Sequence, residues 1–306
     1  MDLKQMQYFL SLAQEGNVTR AARQLNIVQP ALSMQISRLE KSLGKQLFYR
    51  TPHGMALTPA GETLARLVAP ILQDIDRAAD EMAKLDGKIS GRVSIGMITS
   101  AAQSTLPVSS ARIAAQYPDI QLLVCEGYTE TMMEWVLSGE LDIAIVNTPD
   151  RRTALTAHHI LDEEMMLAHA ARRSLSLPKL VPFDRLKTLD LVIPSRRHGL
   201  RRILDDAAAQ AGFALQPRLE IDTLSAVSEL VASTDMVTVL PGIALHPLLS
   251  AGRLTAHRMR KPSIIRSVAW VTNPRRVVSA AMTAVMEIIA TDLKAAAASA
   301  AEMVRR

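Results

Sequence analysis

Residues 17–43 read NVTRAARQLNIVQPALSMQISRLEKSL, and this stretch decides how the rest of the chain is understood. Val18, Ala21, Ala22 and Leu25 fall three and four apart, the spacing of one apolar helix face. Asn17 is placed to cap that helix, while Gly16 ends the one before it. The pattern breaks at Asn26 and Ile27 and restarts near Gln29 and Pro30, where proline is tolerated because a first-turn N–H has no helical partner. Leu32, Ile36, Leu39 and Leu43 form the buried side of this second helix. Its other side carries Gln29, Pro30, Ser33, Met34 and Ser37, residues suited to docking against something rigid. The spacing predicts a helix-turn-helix whose second helix enters a DNA major groove; an ordinary helical hairpin is the plainer reading.

The flanks favour DNA. Leu3, Met6, Phe9, Leu10 and Ala13 predict a first helix that closes a small core, with Phe9 and Phe48 as its aromatic anchors. Residues 45–62, KQLFYRTPHGMALTPAGE, predict a strand, a turn at 51–54 and a returning strand. Such a wing would lay Arg50 and His53 on the backbone or minor groove. Residues 1–58 hold seven Lys/Arg against three acids, as a polyphosphate partner requires, although a solvated basic face has the same composition. Thr58, Pro59 and Glu62 then signal a helix start. Leu64, Val68, Ile71, Ile75, Ala78, Met82 and Leu85 follow at alternating spacings of four and three, a heptad seam. Its expected partner is a second copy of the chain, with the chain's own body as the alternative; a dimer would suit a two-fold site.

Composition bounds the remainder. The 306 residues have room for two or three domains, and 48% hydrophobic with only 3% aromatic content calls for aliphatic cores. One cysteine, Cys125, excludes an internal disulfide framework and fits a reducing compartment; in an apolar strand it reads as core. The amphipathic opening segment does not read as a signal peptide, and no run reaches bilayer-spanning length, so a cytoplasmic protein with no membrane partner is expected. After a glycine-flanked break at 87–91, strands at 93–98, 120–125 and 141–146 alternate with helices at 100–117 and 129–137. The alternation recurs with strands at 189–193, 219–221 and 236–240 and helices at 200–211 and 225–232. This predicts α/β architecture, parallel sheets in two lobes, with the chain crossing near 161–168 and 267–272 and a final helix from 277. The expected domains are 1–58, a linker helix 59–87, and a body 88–306, with lobe I about 92–161 and 268–306 and lobe II about 162–267. No metal is expected: His158 and His159 are adjacent on an extended segment and point oppositely. Ser195 near His198 lacks a nucleophile elbow, and no glycine-rich phosphate loop occurs, so neither a cofactor nor an enzyme is expected.

Over essentially its whole length the chain resembles the LysR-type transcriptional regulators, including their nitrogen-assimilation branch. The resemblance is carried by AARQLNIVQPALSMQISRLEKSLG (21–44), LFYRTPHGMALTPAGE (47–62), GRVSIGMITS (91–100), HGLRRIL (198–204) and DTLSAVSELVASTDMVTVLP (222–241). It implies a winged helix-turn-helix on double-stranded promoter DNA, a linker helix, and a two-lobe periplasmic-binding-protein-like α/β domain. A small-molecule effector between the lobes would change DNA bending and contact with RNA polymerase, in a homodimer or homotetramer. The family pattern points to Ile98, Thr99, Ser100, Tyr128, Thr129, Pro194, Ser195 and Arg196 as effector-binding. Strand C-termini facing helix N-termini suit such a site, although Ser100 and Thr129 also read as plain N-caps. Arg196, Arg197, His198, Arg201 and Arg202 are the densest cationic cluster and would favour an organic anion, with surface arginines or a subunit contact as the alternative.

Departures from the family are informative. Val28 stands where the family usually caps the recognition helix with serine, at a cost of about 1 kcal/mol. Met34 and His53 stand where arginines are common, so Arg20, Arg38 and Arg50 are expected to carry most of a weak phosphate contact, with Gln29 and Ser33 reading bases. Thr234 and Met236 replace family glycines. A different class remains open at this point: a two-lobe solute-binding protein or enzyme with an incidental helical head.

Overall fold

The computed structural model describes residues 1–52, 54–83, 88–149, 153–172, 175 and 177–305. It divides into two compact units, Met1–Lys88 with 137–140, and Ile89–Val136 with Leu141–Arg306.

In the first unit, α1 (Leu3–Glu15) opens on a capping box between Asp2 and Gln5 and ends at Gly16 in the left-handed region. The Asn17 side chain accepts from Thr19 N at 3.0 Å and Arg20 N at 3.1 Å, starting α2 (Val18–Gln24). The helix α3 (Gln29–Leu43) begins at Val28 with no side-chain cap and stops at Gly44, φ 63°. Phe9, Leu12, Ala21, Leu32, Leu39 and Phe48 form the core, with the Phe9 and Phe48 rings 5.4 Å apart. The wing pairs β1 (Phe48–Thr51) antiparallel with β2 (Gly54–Leu57). Gly54 has φ 131°, and a Cβ there would collide with the Gly16 carbonyl, which also accepts from Met55 N at 2.7 Å. Only glycine fits so close an approach.

The helix α4 (Pro59–Ala83) starts where Thr58 Oγ1 accepts from Gly61 N at 3.0 Å and donates to the Gln46 carbonyl at 2.7 Å. Its apolar seam is divided. Leu64 packs on the core and Val68 is buried, whereas Ile71 and Ile75 are exposed by 43% and 42%, and Leu67, beside the seam, by 58%. Leu85 and Gly87 lie outside the described residues. Pro70 sits inside the helix and cannot donate to the carbonyl four residues back, which the heptad spacing alone conceals.

In the second unit, β3 (Gly91–Met97), β4 (Ile120–Glu126) and β5 (Ile143–Asn147) are parallel, with α5 (Thr99–Gln116) and α6 (Thr129–Ser138) between them. The sheet as a whole is mixed rather than parallel, because the crossing strands run against their neighbours. β6 (Thr156–Ala170) pairs antiparallel with β10 (Val237–Pro241), β11 (Leu254–Arg260) and β12 (Ile265–Thr272). β7 (Leu180–Pro182) lies at the far edge, parallel to β11. The second lobe also holds the parallel pair β8 (Val192–Ile193) and β9 (Leu219–Glu220), with α7 (Gly199–Gln210), α8 (Leu224–Ser233) and α9 (Gly242–Ser250). Sequence reading missed β7, α9 and β11. The final helix α10 (Ala280–Arg305) begins three residues later than the expected 277, where Ser279 Oγ accepts from Met282 N at 3.1 Å.

Each lobe has its own apolar core, around Met165, Phe183, Leu204 and Val239 in one and Ile95, Ile145, Trp270 and Ile289 in the other. Cys125 packs beside the smaller cluster of Met132, Val136 and Leu141. Among the described residues, no helix is long and apolar enough to cross a membrane.

Candidate nucleic-acid interface and inter-lobe cleft

On the first unit, a groove of about 750 Å³ runs between α3 and the wing, and Gln29, Ser33, Ser37 and Arg50 line it together. Gln29 Nε2 donates to Ser33 Oγ at 3.3 Å, which aligns two polar tips along the outer face of α3. Pro30, Met34 and Arg38 are exposed outside this groove; Met34 keeps 48% of its surface. Arg20 is turned back on its own chain, with Nε 3.1 Å from Glu15 Oε2 and a second nitrogen on the Glu15 carbonyl. His53 lies outside the described residues. The wing is held at the helix by Glu40, whose carboxylate accepts from Leu47 N at 2.8 Å and Phe48 N at 3.4 Å.

In the second unit the two lobes meet over a polar cleft. Sequence reasoning placed Ile98 in it, but the side chain is 4% exposed and belongs to the lobe core. Thr99 and Ser100 are the first residues of α5, so Ser100 is not the N-cap; its Oγ accepts instead from Arg266 Nη1 at 2.7 Å. Arg266 Nε and Nη2 also reach Glu163 at 2.9 and 2.6 Å, and Glu163 accepts from Ile243 N at 2.7 Å. This fully buried ion pair stands on facing strands, since Arg266 registers against Glu163 between β12 and β6. Thr129 is likewise inside its helix and accepts from Asn147 N at 3.3 Å.

Across the cleft, Pro194 is buried and its carbonyl accepts from Arg201 Nη1 at 3.2 Å. Arg201 itself is 1% exposed and spent on Asp205 and Glu220. Arg196 and Arg197 are exposed and line a cavity of about 400 Å³ at the mouth, with Tyr128, His198, Gly199 and Arg202. Asp222 gathers Ser195 N at 2.8 Å, Ser195 Oγ at 3.0 Å and the Tyr128 hydroxyl at 2.9 Å. Burial works to raise the Asp222 carboxyl, but those three hydrogen bonds outweigh it and hold it below the usual carboxylate range. Burial, with the hydrogen bond to Asp222, raises Tyr128. Burial also pushes His198 down from its ordinary value, Asp222 opposing and Arg266 adding to the shift. The neutral ring fits its role as N-cap of α7, accepting from Leu200 N at 3.2 Å. Gly199 is pressed so close to lobe I that a Cβ would meet Asn147 Nδ2 at 2.7 Å. Asn147 Oδ1 and Thr148 Oγ1 are buried there without a hydrogen-bond partner.

Asp222, Asn147, Glu163 and Arg266 were not foreseen as cleft residues. Asp222 opens a stretch already singled out for resemblance, a signal that was available. Glu163 and Arg266 lie 103 residues apart and become neighbours only through strand register.

A winged helix-turn-helix and a two-lobe α/β body with a polar cleft are together the parts of a ligand-responsive DNA-binding protein. The chain belongs to the LysR family: the family model "LysR substrate binding domain" matches residues 86–294, and "Bacterial regulatory helix-turn-helix protein, lysR family" matches 3–62. It is thus a DNA-binding transcriptional regulator with an effector-binding domain. The regulator CzcR of Bacillus cereus is 30% identical over 258 residues, covering 84% of this chain and 86% of that one. The nitrogen assimilation regulatory protein nac of Escherichia coli is 27% identical, covering 94% of each. In fold, the chain is similar to a point-substituted form of full-length OxyR from Pseudomonas aeruginosa (TM-score 0.73, 21% identity, 96% and 98% covered). It is also similar to full-length CbnR complexed with its target DNA (TM-score 0.69, 18% identity, 95% and 100% covered).

Proposed function

We propose that this chain binds double-stranded promoter DNA as a homodimer or homotetramer in the cytoplasm, has no enzymatic activity, and is switched by a small organic anion held between its lobes. The observation that carries the DNA reading is the convergence of Gln29, Ser33, Ser37 and Arg50 on one groove beside α3. Gln29 and Ser33 read base edges, Met34 meets a thymine methyl, and Pro30 and Ser37 fix the helix in the groove. Arg38, Arg50 and His53 contact the backbone, with a smaller share from Arg20 because Glu15 holds it. The exposed Leu67, Ile71 and Ile75 on α4 support pairing with a second copy. In the cleft, Thr99, Ser100, Tyr128, Thr129, Pro194, Ser195 and Arg196 face the ligand, with Ile98 as a packed floor behind them. Asn147 and Thr148, buried with unpartnered oxygens, are added to that set. Contact with RNA polymerase follows as the output.

Selection from random DNA should yield one two-fold site with a dimeric footprint; no preferred site would defeat the reading. Salt titration at that site should give a log–log slope of about −3 per protomer, and a value near that of ten phosphate contacts would contradict the sparse arginine contact.

A further inference from the structure

Asp222 behaves in the cleft as a ligand would. It lies just beyond β9 in lobe II, where Oδ1 accepts the Ser195 amide, while Oδ2 accepts the Ser195 hydroxyl and the Tyr128 hydroxyl of lobe I. Ser195 and Tyr128 are two residues assigned above to the effector, and here both are given to an internal carboxylate. A second acid repeats the arrangement: Glu130 of lobe I takes Arg202 Nη1 of lobe II at 2.8 Å beside the same cavity. The donors that would receive an organic acid are therefore already receiving one; the Ser195 contacts stay within lobe II, while Tyr128–Asp222 and Arg202–Glu130 tie one lobe to the other.

We infer that Asp222 is a built-in surrogate for the acid group of the effector, holding the lobes together in the unliganded chain until an incoming carboxylate takes over its donors. This rests on the effector-binding reading of the cleft. The exchange replaces one carboxylate by another, so the hydrogen bonds gained and lost nearly cancel. Asp222 is only half-buried, so the released carboxylate has a short way to water, where it regains hydration. Arg196 and Arg197 at the mouth draw the anion in. What changes is the link itself: Tyr128 is then bound to a ligand that can leave, rather than to the other lobe.

The test uses the full-length chain with acetate as the probe. In Asp222→Gly the donors remain but their acceptor is gone, so acetate should raise the melting temperature by about 3 °C, against less than about 1 °C in the parent chain. Acetamide, of the same shape but uncharged, should do nothing to either. Acetate acting equally on both chains, or on neither, overturns the inference. Should Asp222→Gly not fold, Tyr128→Phe carries the question: amide exchange should rise about fivefold over both 127–131 and 194–199. A rise confined to 127–131 would mean a local contact and no latch. A chain that selects no DNA site defeats the regulator reading but leaves the acetate result standing. A chain whose DNA binding answers to organic acids, yet whose Asp222→Gly form ignores acetate, defeats only the surrogate.

Discussion

Val28 shows how much a single position decides in the first unit. Its backbone is extended and correct for an N-cap, yet the side chain accepts nothing and 68% of it faces solvent. Val28→Ser should therefore stabilise the unit by about 1 kcal/mol, read as a higher urea midpoint at unchanged slope. Asn17, one helix earlier, shows the same site filled, and both were legible because capping is written in local sequence. His198 was legible only as part of a cationic cluster; its burial arises once lobe I packs beside it, with the Tyr128 ring 5.7 Å away. Burial sets the ring below the usual value of 6.5, with the charges of Asp222 and Glu130 opposing and that of Arg266 adding to the shift. The unfolded chain then binds the proton more readily, so stability rises with pH across this window and is lost as pH falls below about 6.5. The melting temperature should drop between about pH 7 and pH 5, and His198→Gln should flatten that drop. Asp222, also held low, adds a further loss at lower pH, as its own carboxyl protonates.

Among elements, those with an apolar period were found and those held by distant partners were not. The helices α1 to α4 carry their own spacing, with side-chain caps opening all but α3, and the strands β3, β4 and β5 are apolar runs between helical stretches. β11 and α9 carry no such mark: α9 includes Pro247, and β11 mixes four basic or hydroxyl residues with a few apolar ones, so pairing with β6 and β7 defines it. The expectation of parallel sheets failed at the same place, where the returning strand lies antiparallel beside β6 and β5. Glu163 and Arg266 join these two strands. Because the pair is buried and each partner fully engaged, Glu163→Gln should cost about 3 kcal/mol in chemical denaturation by leaving a buried guanidinium short of its counter-charge. A loss below about 1 kcal/mol would show that Ser100 and the strands hold Arg266 without it.

For the whole molecule, sequence sufficed to separate a DNA-reading head from a two-lobe body. It did not foresee that three polar groups of the cleft would satisfy one another, since Tyr128, Ser195 and Asp222 meet only after three separate stretches fold. One further consequence follows from β6. Its 15 residues serve both lobes, with Thr156 to Glu164 paired to β12 and Met165 to Ala170 paired to β10 and β11. The lobes therefore share a backbone ladder and form one cooperative folding unit. Calorimetry should show the body unfolding in one peak whose van't Hoff and measured enthalpies agree, and two separable body peaks would contradict it. A protein built this way can bend between its halves, but it cannot lose one half and keep the other.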